Sequence, residues 1–385
     1  MDWLSVLTHT PTLVCLLVLF LSFVLLILHY ALDYLRVGRR HSADEASEVP
    51  EGSTLPGISV VLVVHNEAEQ LRESLPFLLE QEYPNYEIVV VNVDSKDETP
   101  FILQVCKENY DQLKPINFEE NKNMFKGKKY PLSIGIKCAQ NEIIVLTEAR
   151  CVPLSFNWLQ SIAQEFVSSR TQIVLGYCHV KQENTLLNLL QQYDNLTESA
   201  HWIAAAMAHH PFSGTATNMA LRRNFFFDRQ GFSLHYSEPE GADDMFVNQN
   251  ATGRNTKLCI DNNAFVQTEA QKTWKLWHQQ RARRYATKRY YSFVTKLRLA
   301  VHPISVVLFY AAFALMFVFG ICPWYVPVAF LALKLAWQIV TFRLLVRQFT
   351  LRGVHWFAPF FEIYFLFANT ISYIASLHRK NIRWR

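Results

Sequence analysis

The chain has 385 residues, of which 50% are apolar and only 18% are charged. This composition excludes a disordered chain, and a charged share below the roughly 25% usual in soluble proteins indicates membrane-spanning segments. The net charge of +4 is too small to indicate nucleic-acid binding. Seven cysteines, an odd number without a CxxC pair, argue against a disulfide framework or a zinc site and predict reduced thiols facing the cytoplasm.

The first element is an uncharged segment over residues 11–30, about the length of a helix that crosses the hydrocarbon core. No basic residue precedes it and no small-residue cleavage site follows it, so we expect an uncleaved anchor instead of a signal peptide. Arg36, Arg39 and Arg40 indicate that the following region is cytoplasmic. We therefore predict a transmembrane anchor over residues 1–35, a linker over 36–56, and residues 31–298 on one side of the membrane.

Between the membrane segments, the sequence predicts one doubly wound α/β domain over residues 57–270. Short β-branched runs begin near residues 58, 86, 116, 143 and 172, and helix-like stretches separate them. This alternation is typical of parallel βαβ units, and all-apolar strands indicate a sheet covered on both faces. Ligands of such sheets bind at the carboxyl ends of the strands.

No common phosphate-binding loop lies at these strand ends. The residues after the first run contain no glycine, and no P-loop pattern occurs in the chain, which disfavours a Rossmann dehydrogenase and a P-loop NTPase. The strand ends instead carry polar and acidic side chains, namely His65, Asn66, Glu67, Asn92, Asp94, Ser95, Asp97, Glu148 and Arg150.

Six ordered motifs resemble those of the membrane-bound family 2 glycosyltransferases. They are VVHNE at 63–67, VNVDSKDET at 91–99, KGKK at 126–129, TEARC at 147–151, GADDMF at 241–246 and RARRY at 281–285. The resemblance covers roughly residues 55–345. It implies a GT-A fold that binds a nucleotide-diphosphate sugar and transfers the sugar with inversion.

The resemblance implies that the first two motifs contact the donor nucleotide. For Asn66 and Glu67 the alternative is a helix cap, and for Asp94 and Asp97 it is a turn before the next helix. The family places paired acids where Asn92 and Val93 stand. Since the Val93 side chain cannot accept a hydrogen bond, Asn92 or Asp94 would have to read the base.

The next two motifs are expected to face the donor diphosphate. Lys122, Lys126, Lys128 and Lys129 are either a solvated loop or a phosphate contact, for which we select Lys126 and Lys129. Glu148 and Arg150 occupy the family's Asp-x-Asp position, whose carboxylates hold Mg²⁺ or Mn²⁺. Only Glu148 remains as a metal ligand, while Arg150 can hydrogen-bond phosphate. Two hypotheses stay open: metal-independent transfer, or lost catalysis.

Asp243 and Asp244 are the candidate catalytic residues. The alternative is an N-cap pair at the start of an apolar helix. In the family, an acid here is the general base that removes the proton from the acceptor hydroxyl. Alignment on Gly241 selects Asp243, with Asp244 next to it.

Residues 272–298 contain nine basic residues, no acid and several aromatics. Directly before a membrane segment, this pattern favours an amphipathic interfacial segment over residues 271–300 that contacts anionic lipid. Within it, Arg281, Arg284 and Tyr285 partly match the family's Gln-x-x-Arg-Trp element, which implies a place beside the donor phosphates.

Three further apolar stretches, at residues 304–321, 323–345 and 355–376, predict membrane helices within residues 301–378, before a basic tail at 379–385. If the last stretch crosses, the tail lies outside against the positive-inside rule, so crossing, re-entrant and interfacial placements stay open. Lys334 and Glu362 each lie mid-stretch, and we predict that they pair.

The sequence thus predicts an inverting glycosyltransferase of the plasma or inner membrane with a cytoplasmic catalytic domain, of the kind that serves polysaccharide biosynthesis. Its partners would be a nucleotide-diphosphate sugar and a lipid-linked or growing glycan acceptor. The alternative is a catalytically silent relative that scaffolds or regulates glycan assembly, which the changes at Val93, Arg150 and Arg281 favour.

Overall fold

The computed structural model describes residues 10–40, 55–119, 127–236, 238–320 and 322–378, without the side chains of residues 10, 11 and 234. The described residues form two compact units. One contains residues 55–290 together with 373–378, and the other contains residues 10–40 together with Tyr291–Ser372.

The first unit is built on a seven-stranded sheet with the order β3-β2-β1-β4-β8-β6-β9. The strands β1, β2, β3 and β4 are parallel neighbours. Their bounds are Ile58–Val64 for β1, Tyr86–Val93 for β2, Leu113–Phe118 for β3, Ile143–Leu146 for β4, Ile173–Gly176 for β6, Met219–Arg222 for β8 and Thr256–Cys259 for β9.

Helices cover both faces of this sheet, which explains why the central strands carry apolar side chains on both sides. Their bounds are Ala68–Leu79 for α2, Thr99–Asn109 for α3, Lys129–Cys138 for α4, Trp158–Glu165 for α5, Leu186–Met207 for α6, Arg223–Asp228 for α7, Asp244–Asn250 for α8 and Trp274–Thr287 for α9. Helix α4 lies very close to the sheet at Gly135, where an added Cβ would be 2.6 Å from Val61 Cγ1.

The predicted α/β fold is confirmed, and the strands at the five predicted runs, β1 to β4 and β6, share one direction. A strand outside those runs, β8, inserts between β4 and β6 and is antiparallel to both. Since β8 has only four residues and all but the last are buried, nothing in its composition encodes its direction.

A second, three-stranded sheet has the order β5-β10-β7. Its strands are Cys151–Pro153 for β5, Cys178–Val180 for β7 and Val266–Thr268 for β10. Strand β10 is antiparallel to β5 and parallel to β7. Because β5 begins at Cys151, this sheet fixes the backbone directly after Arg150.

The other unit contains four helices that are long and apolar enough to cross a membrane. The first is α1, Thr10–His29, which continues through the π-helical Tyr30–Leu35 and through Arg36–Gly38. The others are α10, Phe293–Val318, α11, Tyr325–Gln348, and α12, Val354–Leu377. All four apolar stretches are therefore helical, as expected.

The predicted pairing of Lys334 with Glu362 is confirmed. Lys334 on α11 donates a hydrogen bond to Glu362 on α12, and both side chains are buried. Lys334 also donates to Gln338 Oε1 at 2.9 Å, while Glu362 accepts a hydrogen bond from Tyr30 on α1. One ion pair thus joins α11 to α12 and, through Tyr30, to α1.

We expect Lys334→Met to lower the melting temperature of the full-length protein in detergent markedly. Removing one partner leaves the other buried and charged, which costs about 3–5 kcal/mol in proteins. Glu362→Met should have a similar effect, and the double variant should be more stable than either single variant. Losses that simply add in the double variant would contradict a direct pair.

Candidate active site

Three parallel strands bring the predicted donor-side motifs to one edge of the sheet. Strand β1 pairs with β2 on one side and with β4 on the other. The residues after β1 (66–67), after β2 (94–97) and after β4 (148–150) therefore lie at neighbouring carboxyl ends. Ligands of open α/β sheets bind at such an edge.

The loops after β1 and β2 are bonded to each other. Asn66 and Asp94 have left-handed backbones, with φ of 53° and 45°. The Lys96 amide donates to Asn66 Oδ1 at 2.7 Å, and the Asn66 amide donates to Ser95 Oγ at 3.0 Å. Such backbones cost about 1–3 kcal/mol each and concentrate at functional sites, so this edge is a candidate ligand contact.

Asp97 has the turn role that the sequence left open. Its Oδ1 accepts a hydrogen bond from the Thr99 amide at 3.0 Å, and its Oδ2 accepts one from the Ala68 amide at 3.1 Å. Asp97 therefore holds the starts of α2 and α3. The cap interpretation of Glu67 receives no support, because its side chain makes no cap hydrogen bond although it precedes α2.

Asn92 and Asp94 differ in accessibility. Asn92 is 4% exposed and donates from Nδ2 to Asn117 Oδ1 at 2.9 Å, so it links β2 to β3. The Asn92 side chain is therefore much less accessible than that of Asp94, and its predicted contact with a donor base stays a prediction. Asp94 is exposed, and Lys96 Nζ lies 2.5 Å from its Oδ1.

Four charged side chains, Glu67, Lys128, Glu148 and Arg150, form what we call the Glu148 cluster. Arg150 Nε lies 2.8 Å from Glu148 Oε2, and Lys128 Nζ lies 3.5 Å from Glu148 Oε1. Burial raises the pKa of the Glu148 carboxyl, but the charges of Arg150 and Lys128 outweigh it and lower this pKa to about 2. Burial raises the pKa of Glu67, against the opposing charge of Lys128.

The Glu148 cluster does not fit a carboxylate-bound Mg²⁺ or Mn²⁺. Such ions take several oxygen ligands. Here both oxygens of Glu148 are engaged by cationic groups, and Arg150 stands where a second carboxylate would be needed. Two positive charges within 4 Å of the Glu148 carboxylate repel a divalent cation. The cluster is instead suited to an anion.

Arg150 has hydrogen-bonding N–H groups available for such an anion. Among the residues that the structure describes, its guanidinium hydrogen-bonds only to Glu148, through Nε. The side chain lines a small pocket that has both acidic and basic neighbours, namely Gln70 and Glu73 of α2, Lys181 after β7, Gln267 of β10 and Glu269 after β10. A guanidinium with free terminal nitrogens binds phosphate oxygens in a bidentate manner.

The acid pair, Asp243 and Asp244, follows a tight turn at Gly241, whose φ is 84°. The Ala216 amide donates to Asp243 Oδ2 at 2.9 Å, and Asp243 makes no side-chain cap bond although it precedes α8. Asp244 is 7% exposed and accepts a hydrogen bond from Thr287. The cap alternative therefore does not describe either carboxylate.

Lys128 is the N-cap of α4 and Lys129 is its first residue, and their side chains contact different groups. Lys128 contacts the Glu148 cluster, whereas Lys129 is 2% exposed and donates to the His235 carbonyl oxygen at 3.1 Å. Burial lowers the pKa of Lys129, and the charges of Asp244 and Asp243 oppose this effect. Lys129, predicted as a phosphate contact, is therefore buried, and Lys128 is the lysine that contacts the Glu148 cluster. Lys126, selected with Lys129, lies outside the described residues.

Basic residues of α9, and the lysine directly after it, face acids on α6, and the predicted contacts of this segment with lipid and donor phosphates stay predictions. Arg281 is 1% exposed and pairs with Asp194, and Arg284 Nη1 lies 3.4 Å from Asp194 Oδ2. Lys288 Nζ lies 2.9 Å from Glu198 Oε1. The reason is that Asp194 and Glu198, four residues apart on α6, share one helix face.

Aromatic rings complete this packing. The Arg281 guanidinium lies over Trp277, 5.3 Å from the ring centroid, and over Tyr285, at 5.7 Å. Burial raises the pKa of Glu198, but Lys288 and Arg284 outweigh it and lower this pKa to about 2. The segment predicted as interfacial is therefore, over α9, a helix ion-paired to α6.

We expect Arg281→Ala to destabilise the protein by about 3–5 kcal/mol, because it leaves the buried Asp194 carboxylate short of its closest cation. Arg281→Lys should restore only part of this loss, since a lysine does not reproduce the planar stacking on Trp277. Lys275→Ala, at an exposed position of the same helix, is the matched control. Melting temperatures that agree among all four proteins would contradict this role.

Comparisons of the sequence with known proteins identify a family. The model of glycosyl transferase family 21 matches residues 16–385. A probable glycosyltransferase of Bacillus subtilis, YdaM, is 25% identical over 273 residues, which cover 68% of this chain and 63% of that protein. The poly-beta-1,6-N-acetyl-D-glucosamine synthase of Staphylococcus epidermidis is 35% identical over 102 residues, 26% of this chain and 24% of that protein. The chain thus spans less than two thirds of the length of these relatives.

A solved structure shows the same fold. The mannosyltransferase PcManGT from Pyrobaculum calidifontis, in complex with GDP-Man and Mn²⁺, superposes with a TM-score of 0.60 at 19% identity, over 94% of this chain and 97% of that one. The predicted GT-A fold and glycosyltransferase resemblance are confirmed. The chain therefore belongs to glycosyl transferase family 21.

Proposed function

We propose that the protein transfers a sugar, with inversion, from a nucleotide-diphosphate sugar to a hydroxyl group of a lipid-linked or growing glycan acceptor. One observation carries this proposal. Lys128 contacts the Glu148 cluster, and the next residue, Lys129, reaches Met245 directly after the acid pair, with Nζ 3.8 Å from Met245 Sδ. An anion-binding cluster and a pair of carboxylates are therefore close to each other, as a displacement reaction with an anionic leaving group requires.

The donor diphosphate is assigned to Arg150 and Lys128. Both are cationic, and the terminal nitrogens of Arg150 are available for phosphate oxygens. The leaving group of the reaction is a nucleoside diphosphate, and fixed positive charge stabilises it as the negative charge develops. The contacts with the nucleoside are assigned to Asn66 and Asp94, because these side chains are exposed at the same sheet edge.

Asp243 is assigned as the general base, and its neighbour Asp244 as its partner. As the acceptor oxygen attacks the anomeric carbon, its proton passes to the Asp243 carboxylate. The new carbon–oxygen bond forms while the bond between the anomeric carbon and the diphosphate oxygen breaks, and the bonding electrons leave with the nucleoside diphosphate. A single displacement of this kind inverts the anomeric configuration.

Metal-independent transfer is the part of the proposal that departs from the PcManGT complex, which contains Mn²⁺. Arg150 and Lys128 supply two positive charges for the diphosphate, which is the charge that a divalent cation would otherwise supply. The retained acid pair favours an active enzyme over the silent scaffold, because a scaffold has no need of two adjacent acids with separate hydrogen-bond partners.

The location is proposed from the four apolar helices and the distribution of basic residues. Arg36, Arg39 and Arg40 follow α1, and Arg343 and Arg347 lie at the end of α11, which favours these ends on the cytoplasmic side of a plasma or inner membrane. The catalytic domain is then cytoplasmic. We assign contact with anionic lipid to the basic residues of this segment that form no ion pair with α6.

A thermal-shift panel of the full-length protein in detergent tests donor binding. We expect a nucleoside diphosphate and its sugar conjugate to raise the melting temperature without added metal, since a ligand at 100 times its Kd stabilises by about 2.7 kcal/mol. Arg150→Ala should abolish the shift, while Arg170→Ala, at an exposed site, should retain it. Shifts that depend entirely on Mn²⁺ would contradict metal-independent binding.

A further inference from the structure

Three consecutive backbone amides between β1 and α2 donate hydrogen bonds to side chains that follow β2. The acceptors lie within residues 95–99 at the neighbouring strand end. The three bonds run from Asn66 N to Ser95 Oγ at 3.0 Å, from Glu67 N to Thr99 Oγ1 at 3.2 Å and from Ala68 N to Asp97 Oδ2 at 3.1 Å. The loop that leads into α2 is therefore held, amide by amide, by the loop beside it.

Asp97 bonds to the amino ends of two helices at once. Its Oδ2 accepts from Ala68, the first residue of α2, and its Oδ1 accepts from Thr99, the first residue of α3, at 3.0 Å. Burial raises the pKa of the Asp97 carboxyl, but hydrogen bonds from Thr99 and Ala68 outweigh it and lower this pKa. An anion thus already lies where the amino end of a helix attracts phosphate, which agrees with the assignment of the diphosphate to Arg150 and Lys128.

The two loops are also bonded in the opposite direction. The Lys96 amide donates to Asn66 Oδ1 at 2.7 Å. The ring nitrogen Nδ1 of His65 lies 2.6 Å from the Val93 carbonyl oxygen. These contacts flank the left-handed residues Asn66 and Asp94. A backbone of this kind persists only where its surroundings over-determine it, and hydrogen bonds between the two loops do so here.

We propose that Ser95, Asp97 and Thr99 are positioning residues that hold Asn66 and Asp94 in the arrangement that binds the donor nucleoside. This inference rests on the proposed function and deepens it. A site that is ordered before its ligand arrives loses less conformational freedom on binding, so affinity is gained without any further contact to the ligand. The three side chains act through the loops and do not touch the reacting atoms.

The first test measures ligand binding to Asp97→Ala in the full-length protein. UDP, GDP and inorganic pyrophosphate are the probes, and isothermal titration gives each Kd. We expect the Kd of the better-binding nucleoside diphosphate to rise about tenfold, because the variant loses the charged acceptor that joins the loops. The Kd of pyrophosphate should not rise, since pyrophosphate has no nucleoside. Asp111→Ala, at an exposed position after α3, is the matched control and should bind all three like the wild type.

Thr99→Val and Thr99→Ser separate the hydroxyl from packing. Thr99 is fully buried, and only serine keeps an acceptor for the Glu67 amide. With the nucleotide sugar that the wild type turns over best, Thr99→Val should raise the donor KM while kcat changes little, and Thr99→Ser should restore most of the KM. Equal KM values in the two variants would overturn the inference. An unchanged nucleotide Kd in Asp97→Ala, or a pyrophosphate Kd that rises equally, would also overturn it.

A second readout requires neither ligand nor turnover. Hydrogen exchange of peptides that contain residues 66–68 reports whether their amides are bonded. We expect slow exchange in the wild type and faster exchange in Asp97→Ala and in Ser95→Ala, and wild-type rates in both variants contradict the inference. Absence of wild-type binding and turnover with every nucleotide, by contrast, would refute the proposed function, while these exchange rates still test the hold on the loop.

Discussion

Asp243→Asn is expected to lower kcat for sugar transfer by about a thousandfold, within the range of roughly 10²–10⁴ that a general base contributes. Asparagine keeps the shape of the side chain and the hydrogen bond from the Ala216 amide, but it cannot take the acceptor proton. Donor binding should be unchanged, because the diphosphate is assigned to Arg150 and Lys128. Initial rates of nucleoside diphosphate release give kcat and KM.

Two further variants make this result specific. Asp228→Asn removes an exposed acid and should keep wild-type kcat. Asp244→Asn should keep a measurable part of kcat, because Asp244 is buried against Thr287 and acts on its neighbour. Full activity in Asp243→Asn together with complete loss in Asp244→Asn would make Asp244 the general base and Asp243 its partner.

Transfer is expected to proceed at an unchanged rate in excess EDTA, and Arg150→Ala is expected to raise the donor KM about a hundredfold. The physical reason is that Arg150 and Lys128 occupy both oxygens of Glu148 and provide the positive charge for the diphosphate. Rates with and without EDTA, and with added Mg²⁺ or Mn²⁺, check the first expectation.

Arg150→Asp tests the metal dependence from the opposite direction, and Arg170→Ala is its control. Arg150→Asp places a second carboxylate beside Glu148 and should make any remaining activity depend on Mn²⁺, whereas Arg170→Ala, at an exposed position, should change nothing. Wild-type activity abolished by chelation and restored by Mn²⁺ would overturn metal-independent transfer.

The positions of the first strands were predictable from the sequence, because fully apolar runs at intervals of 27 to 30 residues leave few alternatives to covered parallel strands. The convergence of Glu67, Asp94 and Glu148 on one edge follows from that topology alone. The direction of β8 was not predictable, since four mostly apolar residues carry no signal for parallel or antiparallel pairing.

The groups that each basic residue contacts were harder to predict. Nothing in the sequence distinguishes Lys128 from Lys129, because one residue of helix rotation decides which of them faces Glu148. Arg281 was assigned to the donor from the motif alone, yet its partner Asp194 is 87 residues earlier and was not considered. Thr287 was missed, although its place one helical turn after Arg284 puts it on the same helix face.

Release of nucleoside diphosphate by the purified full-length protein tests the central claim most directly. The donors are UDP- and GDP-linked sugars, supplied in EDTA with a lipid extract as acceptor. The account predicts release from at least one donor by the wild type, and a loss of about a thousandfold in Asp243→Asn. No release from any donor, or release that Asp243→Asn leaves intact, would contradict it.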